Sequence, residues 1–248
     1  MASPTLAATN KTDGSSAATN KVCNLPATIA PNDLLLLCLR SAGADTHVTP
    51  TGWTSLFLND TSDASDDSFS LWYKLATASD VGLGTVTVNG SASVKFASIS
   101  WRVTGHANPS DQAPQFATLV VGTNTTPDPG TVTPTGGSKD YLFLWLGSWD
   151  GEQTTPPAAP LPTNYTSSVG ASSGTAAATT TNCQCATASR QATASSENPG
   201  TWTISVAPTG WTATVVAIHP YVAPTTAQNV GAIQSQVESG GFVGRVFI

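Results

Sequence analysis

Short apolar segments recur along this chain, and nearly every one is followed by a cluster of Gly, Pro, Asn or Asp. Such turn-forming residues end each segment before a helix of ordinary length can form. Only 10% of the residues are Asp, Glu, Lys or Arg, and no segment offers the Glu- and Lys-rich face of a soluble helix. Thr, Val and aromatic residues instead suit a half-buried pleated surface. The sequence therefore predicts an all-β protein.

The predicted strands differ in their apolar pattern. Residues 34–40 (LLLLCLR) form a continuous apolar run, which indicates a central strand buried on both faces. Residues 68–75 alternate with a period of two, which is typical of a half-exposed strand. The Asn-Gly pair in residues 84–90 predicts a hairpin turn, and a change of phase near Phe96, in residues 94–103, predicts a bulge. Further strands are predicted at 116–121, 141–147, 202–206 and 211–218.

Eight or nine short strands without intervening helices predict two packed antiparallel sheets, and we expect a jelly-roll-like β-sandwich. An extended N-terminal arm is expected over residues 1–21, because this segment repeats AATNK and lacks apolar periodicity. The sandwich is expected over residues 22–222, and a C-terminal arm or anchor over residues 223–248. Residues 150–200 are expected to hold an edge strand or a long loop.

Charge and hydropathy argue against two classes of partner. The net charge is −6 and the nine basic residues are scattered, so no basic stripe is present to neutralise a nucleic-acid backbone. The longest apolar run, residues 34–39, is much shorter than the roughly 20 residues that a membrane-spanning helix needs. We therefore expect neither nucleic-acid binding nor a membrane span.

Residue types that commonly perform catalysis are few. The cysteines are Cys23, Cys38, Cys183 and Cys185, and the histidines are His47, His106 and His219. Their spacing matches no zinc site, so buried free thiols or a single disulfide are expected. The histidines fall in loops or at strand ends, and no Gly-x-Ser-x-Gly nucleophile motif with the required strand-to-helix setting is present. We expect a non-enzymatic protein that needs no cofactor.

An acidic segment, NDTSDASDD, is a candidate metal site. Its carboxylates belong to Asp60, Asp63, Asp66 and Asp67, and oxygen ligands of this kind suit calcium. The segment lacks the glycine and the terminal glutamate of an EF-hand loop. Ordinary solvation of an acidic loop is therefore the favoured interpretation, and calcium binding is the alternative.

Aromatic and acidic residues after the predicted strand at 141–147 suggest two further alternatives. Trp149 and Tyr165 are candidate glycan contacts if their rings are exposed on loops. Asp150 and Glu152 are a candidate carboxylate pair for sugar hydrolysis, which requires a defined separation in space. A solvated acidic loop is favoured over the hydrolytic pair.

Taken in order, five segments form a recognisable pattern: NDLLLLCLR, PTGWT, SLWYKLAT, VTVNGSASVKFASISWRVTG and a final WTATVVAI. This pattern resembles a jelly-roll-type module of tailed-bacteriophage virion proteins and related bacterial surface proteins, over roughly residues 30–222. It consists of core and turn residues and has no active-site signature. The resemblance therefore implies a fold and a virion location, and it carries over no catalytic residue.

The resemblance implies a capsid decoration, or cement, protein on the outer surface of a phage head. Its expected partners are the major capsid protein and sister subunits, in a homo-oligomer. The expected anchor is the apolar end of the chain, comprising Phe242, Val243, Arg245, Val246, Phe247 and Ile248. Such a segment risks aggregation unless it pairs with a neighbour. The alternative is a tail-fibre or head-fibre adhesin that binds a host glycan.

Overall fold

A computed structural model describes residues 3–151, 157, 160–174 and 181–222. The described chain forms an all-β sandwich of two antiparallel sheets, which confirms the predicted fold class. It has eleven strands where eight or nine were predicted. They are β1 (Thr5–Asn24), β2 (Leu34–Ser41), β3 (Thr54–Asp60), β4 (Ser68–Leu75), β5 (Thr85–Thr104), β6 (Gln115–Phe116), β7 (Val120–Gly122), β8 (Lys139–Asp150), β9 (Thr166–Ser172), β10 (Cys183–Ala194) and β11 (Trp211–Ile218).

Each sheet is built from strands that are consecutive in the chain: β1 to β5 form the first sheet, and β6 to β11 form the second. The first sheet has the order β1-β5-β2-β4-β3, and the second has the order β6-β11-β8-β10-β9, with β7 also paired to β11. Jelly-roll connectivity is not confirmed by this arrangement, because among the described strands none of β1 to β5 enters the second sheet. The predicted central strand at residues 34–40 is confirmed, since β2 lies between β5 and β4.

The main core lies between the two sheets. Leu36, Ile99 and Trp101 project into it from the first sheet, and Leu144 and Val216 project from the second. These side chains alternate along their strands with residues on the outer faces, as the pleat requires. Full burial of each large apolar side chain contributes about 1.5–3 kcal/mol.

The N-terminal segment is a strand of the sandwich, so the predicted arm at residues 1–21 is wrong. β1 pairs with β5 from Thr5 opposite Thr104 to Asn24 opposite Thr85. The pairing continues past Asn89, which rules out the predicted hairpin at Asn89-Gly90. An edge strand can form without alternating apolar residues. For this reason a segment rich in Thr, Asn and Ser was predicted as an arm although it is a strand.

The long β1–β5 ribbon shifts register between Gly14 and Ala18, opposite Phe96 and Val94, and again between Ala18 and Asn20. The first shift lies near the bulge predicted at Phe96, but its extra residues are in β1, and Phe96 faces away from the core in regular alternation with Ala97. A Cβ atom on Gly14 would lie 2.5 Å from the carbonyl oxygen of Phe96, so the ribbon requires glycine there. Beyond the bulge, Cys23 and Val88 pack with the outer-face residues of the first sheet. The far half of the ribbon thus covers that face.

Strand β4 and the segment at 202–206 differ from their predictions. Trp72 is fully buried beneath the folded ribbon, so β4 is not half exposed as predicted. Residues 202–206 form no strand. Instead, Trp202 and Ile204 cover the outer face of the second sheet, with the Trp202 ring edge-on to Trp145 at 5.1 Å. The predicted strand at 116–121 is split into β6 and β7.

Residues 150–200 contain a central strand as well as the expected edge strand. β9 lies at the sheet edge, but β10 lies between β8 and β9 and pairs with β8 over twelve residues. The inward side chains of β10 include Cys183 and Cys185. All four cysteines are buried and carry free thiols. The side chains of β10 are mostly small. They pack in the middle of the sheet without the alternation of large apolar and polar residues by which a strand is recognised in a sequence.

Candidate functional site

Two clusters of buried polar side chains lie back to back at one end of β2. Arg40 and Ser41 are successive residues of this strand, so their side chains project to opposite faces of the first sheet. We call the set between the sheets the Arg40 cluster; it comprises Arg40, Asp63, Ser65, Asp67 and Ser148. We call the set on the outer face the Lys21 cluster; it comprises Lys21, Ser41, Asp45, His47 and Ser70.

The Arg40 cluster joins the acidic loop between β3 and β4 to both sheets. The Arg40 guanidinium donates to Asp63 Oδ2 at 2.6 Å and to Asp67 Oδ2 at 3.2 Å. It also donates to Ser148 Oγ of the second sheet at 3.2 Å. The three charged side chains are at most 1% exposed. A planar guanidinium with several fixed donors is well suited to bridge these acceptors.

Charge in the Arg40 cluster is unbalanced, because one guanidinium faces two carboxylates. Burial, with a smaller effect from the nearby charges of Asp63 and Asp150, raises the pKa of Asp67 to about 6, although Arg40 and the Gly43 amide oppose the rise. Asp150 is buried too, and its Oδ1 accepts from the Gly210 amide at 3.0 Å. The cluster therefore holds excess negative charge inside the sandwich.

The acidic loop is neither the solvated loop nor the calcium site considered from the sequence. Asp63 and Asp67 are buried against Arg40, Asp60 accepts from Ser62, and Asp66 points to solvent. Among the described residues, no group of three or more Asp, Glu, His or Cys side chains is arranged to hold a metal ion. The sequence signal that was missed is Arg40, a cation at the end of an otherwise apolar strand.

The centre of the Lys21 cluster is an ion pair closed off from solvent. Lys21 Nζ lies 2.6 Å from Asp45 Oδ2, and both side chains are 0% exposed. Lys21 Nζ also donates to the carbonyl oxygens of Ala18 at 3.1 Å and Ala92 at 3.3 Å. Burial alone would raise the pKa of Asp45, but hydrogen bonds from His47 and Lys21 outweigh it and hold this pKa well below its usual range.

His47 is a buried part of the same cluster, although it lies in the loop that follows β2. Its Nε2 is 2.8 Å from Ser41 Oγ, and its Nδ1 is 2.9 Å from Ser70 Oγ. Ser41 donates to Asp45 at 3.1 Å, so its oxygen is free to accept from an Nε2–H group. Burial lowers the pKa of His47. These contacts fit a neutral imidazole with its proton on Nε2.

Asp45, His47 and Ser41 include the residue types of a catalytic triad, but their arrangement differs from one. Both Asp45 and Ser41 meet the same ring nitrogen, whereas a triad places them on opposite nitrogens. All three side chains are buried, and so is Ser70 on the other nitrogen. A substrate from solution has no access to this serine.

The two candidate glycan contacts are buried, so the prediction of exposed aromatic rings is wrong for both. Trp149 lies in β8 with 0% exposure, and its Nε1 donates to Gln184 Oε1 at 2.6 Å. Tyr165 is 4% exposed and packs with the aromatic residues on the outer face of the second sheet. Asp150 is buried as described above, while its proposed partner Glu152 lies outside the described residues.

The other two histidines lie near the opposite end of the sandwich. His219 is buried with its ring edge-on to Tyr141, and burial lowers its pKa. His106 is also buried, with Nδ1 2.7 Å from the Ala107 carbonyl oxygen and Nε2 3.0 Å from that of Asn32. These contacts tie the end of β5 to the loop that precedes β2.

A depression of about 380 Å³ opens beside His106, where the chain leaves β11. Its lining includes Asn32, Leu75, Gly105, His106, Asn108 and Tyr221. Tyr221 is 46% exposed and Val222 is 47% exposed, although both follow a fully buried strand. This end of the sandwich therefore presents an aromatic ring and amide side chains to solvent. We call it the exit face.

The predicted anchor, Phe242, Val243, Arg245, Val246, Phe247 and Ile248, lies outside the described residues. Within the described part of the chain, no helix is long and apolar enough to cross a bilayer. No family model, curated protein or solved structure matches this chain.

Proposed function

We propose that this chain is a non-enzymatic capsid decoration protein that binds the outer surface of a phage head. The observation that carries the proposal is the exit face, where Tyr221 and Val222 are exposed immediately before the segment 223–248. That segment ends in GGFVGRVFI, an apolar sequence suited to strand addition on a neighbouring subunit. In this proposal the sandwich is the exposed body and the exit face adjoins the shell.

The distribution of polar groups supports a structural role. Arg40, Lys21 and their carboxylate partners are buried in contacts that join loops to sheets, where they fix the fold. The described surface carries few charges, and its polarity comes mainly from hydroxyl and amide groups. The proposed partners are the major capsid protein and sister subunits of a homo-oligomer.

Co-sedimentation with undecorated capsids of the parent phage tests the proposal. The full chain should pellet with capsids and saturate, whereas a chain that lacks residues 240–248 should stay in the supernatant while its circular dichroism is unchanged. The double variant Tyr221→Ser, Val222→Ser should bind more weakly. A matched control, Val48→Ser, alters a residue that is 56% exposed in a different loop and should bind normally. Failure of the intact protein to bind would refute the decoration role.

The exit face also favours one alternative, a fibre-borne adhesin that binds a host glycan. Tyr221 supplies an exposed ring on which a sugar can stack, and the exposed Asn32 and Asn108 supply amides for its hydroxyl groups. A glycan array distinguishes this function, because specific binding that is lost in Tyr221→Ala would support it. An array without signal above background would leave the decoration role as the only proposal.

A further inference from the structure

The Lys21–Asp45 pair has features of a reactive site as well as of an ion pair. Lys21 lies on the folded half of β1, Asp45 lies in the loop after β2, and both side chains are fully buried. An ammonium and a carboxylate removed from water lose much of their solvation. The contacts of Asp45 favour its carboxylate form, so a reaction of this pair must begin with the uphill transfer of a proton from Lys21 Nζ to Asp45 Oδ2, 2.6 Å away, which gives a neutral amine beside a neutral acid.

The two carbonyl contacts of Lys21 hold its nitrogen beside the Asp45 carboxyl group. Nζ donates one hydrogen to Ala18 and another to Ala92, and its third position faces Asp45. Loss of the third proton leaves a lone pair on the side of Nζ that faces Asp45 Oδ2. Holding two reacting groups in this way replaces a bimolecular encounter with an intramolecular step.

The two oxygens of Asp45 have different surroundings. Oδ1 accepts from the Ala92 amide at 2.9 Å and from Ser91 Oγ at 3.3 Å, and such donors stabilise the negative charge that develops on a tetrahedral intermediate. Oδ2 lies 3.1 Å from Ser41 Oγ and 3.4 Å from His47 Nε2. The Nε2–H group of the neutral His47 ring lies on the side of the leaving oxygen, where a donor stabilises the charge that develops on it.

We propose that Lys21 and Asp45 condense to an amide that joins Lys21 Nζ to Asp45 Cγ. The ammonium and the carboxylate become one neutral amide and one water molecule, so atoms and charge balance without any oxidant or co-reactant. The new bond is Nζ–Cγ and the broken bond is Cγ–Oδ2. Oδ2 leaves as water with two protons that both come from Nζ: the first passes to Oδ2 at the start, and the second leaves the nitrogen of the tetrahedral intermediate for Oδ2 as the Cγ–Oδ2 bond breaks. His47 keeps its own proton throughout.

Gly90 gives independent support for close contact between the reacting groups. A Cβ atom at this position would lie 2.5 Å from both Lys21 Nζ and Asp45 Oδ2. The strand therefore passes directly against the pair, and a side chain there would separate the amine from the carboxyl group. The amide would fix the folded ribbon to the loop after β2, in the way that a disulfide closes a loop.

Mass spectrometry of the full chain under denaturing conditions tests the proposal. The intact mass should be lower than the sequence mass by about 18 Da, the mass of one water. Trypsin should fail to cut after Lys21, and the peptides 12–40 and 41–74 should be recovered as one linked species. A folded chain at the full sequence mass after prolonged incubation, with peptides 12–21 and 22–40 released normally, would overturn the proposal.

Three variants separate the reaction from the fold. Lys21→Arg and Asp45→Ala should each restore the sequence mass for the substituted chain. Lys11→Arg is the matched control, because Lys11 pairs with Asp13 on the surface of the same strand, and this variant should keep the loss of about 18 Da. His47→Gln should slow the loss in a chain that circular dichroism shows to be folded. An unchanged rate in His47→Gln would remove His47 from the mechanism, and a mass loss that persists in Lys21→Arg would refute the assigned bond.

Discussion

The Arg40 and Lys21 clusters share a strand end, but they differ in how their charges are matched. On the inner face, one guanidinium faces two carboxylates, with Asp150 close by. On the outer face, one ammonium faces one carboxylate, and His47 completes the set as a neutral group. The charged side chains of the two clusters are almost equally buried. Burial raises the pKa of both Asp67 and Asp45, but hydrogen bonds from His47, Lys21 and the Ala92 amide outweigh it at Asp45, whereas Arg40 and the Gly43 amide do not outweigh it at Asp67.

The clusters also differ in what they join. Arg40 reaches Ser148 across the core, so its cluster connects the two sheets and the acidic loop. Lys21 and Asp45 connect parts of the first half of the chain only, the folded ribbon and the loop after β2. We therefore expect damage to the Arg40 cluster to loosen the whole sandwich, and damage to the Lys21 cluster to act mainly on the first sheet.

Arg40→Met is expected to cause the largest loss of stability. It leaves Asp63 and Asp67 buried without a cation, and removal of one partner from a buried ion pair costs about 3–5 kcal/mol. Urea unfolding measures the loss. Lys11→Met is the control, since Lys11 and Asp13 are each 46% exposed and such surface pairs contribute about 0–1 kcal/mol. Equal effects of the two substitutions would contradict the role assigned to Arg40.

The two clusters should give opposite slopes of stability against pH. The folded-state pKa of Asp67 is raised from 3.8 to about 6, so its contribution is fully present below about pH 4 and is lost as the pH rises through 6. The difference corresponds to about 3 kcal/mol. The pKa of Asp45 is lowered, so in a chain without the amide its contribution is present above about pH 4 and is lost at lower pH.

Thermal unfolding between pH 3 and pH 8 measures the first slope in the native chain and the second in Lys21→Arg, which cannot form the amide. Asp67→Asn should flatten the decline between about pH 4 and pH 6. Asp13→Asn, which alters an exposed carboxylate, should leave that decline in place. A decline that persists unchanged in Asp67→Asn would assign it to another group.

Glycine substitutions compare the packing of the two clusters. Gly90→Ala would place a Cβ atom 2.5 Å from Lys21 Nζ and Asp45 Oδ2, and Gly210→Ala would place one 2.9 Å from the backbone nitrogens of Ala64 and Ser65. Each overpacked site should cost about 1–3 kcal/mol in urea unfolding.

Gly84→Ala is the matched control for both glycine substitutions. Its Cβ atom would meet nothing within 4 Å, and its backbone does not require glycine, so the substitution should be neutral or slightly stabilising. Destabilisation by Gly84→Ala as large as that by Gly90→Ala would show that lost backbone freedom, and not contact with the cluster, is responsible.

Ser148→Ala should give the smallest effect. It removes one of several hydrogen bonds to Arg40, and a bond of this kind contributes about 1 kcal/mol. Urea unfolding of Ser148→Ala, of Arg40→Met and of the double variant completes a double-mutant cycle. The double variant should be no less stable than Arg40→Met alone, and full additivity would show that Ser148 acts independently of Arg40.

Much of the fold could be predicted from local pattern. β2 and β11 were found because a central strand needs apolar residues on both faces, and their sequences supply them. β1 and β10 were missed because an edge strand tolerates Thr and Asn, and because Ala, Ser and Cys fill a crowded sheet without an alternating signal. The Asn89-Gly90 hairpin was wrong because pairing with a distant strand overrode a local turn preference.

The candidate sites were harder to predict, because their contacts join residues far apart in the chain. Lys21 and Asp45 are separated by the whole of β2, and Arg40 meets Ser148 across the two sheets. The local sequence gives one indication for each site. Arg40 is a cation at the end of a predicted strand, and Lys21 is a cation in a segment predicted to be extended. Trp149 was predicted to lie in a loop because the predicted strand ended at residue 147, whereas β8 continues to Asp150.

The most direct test of the proposed function is the location of this chain on intact virions. Antibodies raised against the folded protein, with gold labels and electron microscopy, measure that location. If the chain is a capsid decoration protein, the gold labels should be distributed over the phage heads. The labels should be absent from virions whose copy of the protein lacks residues 240–248. Labels confined to tails or fibres, or virions without any label, would contradict the decoration role.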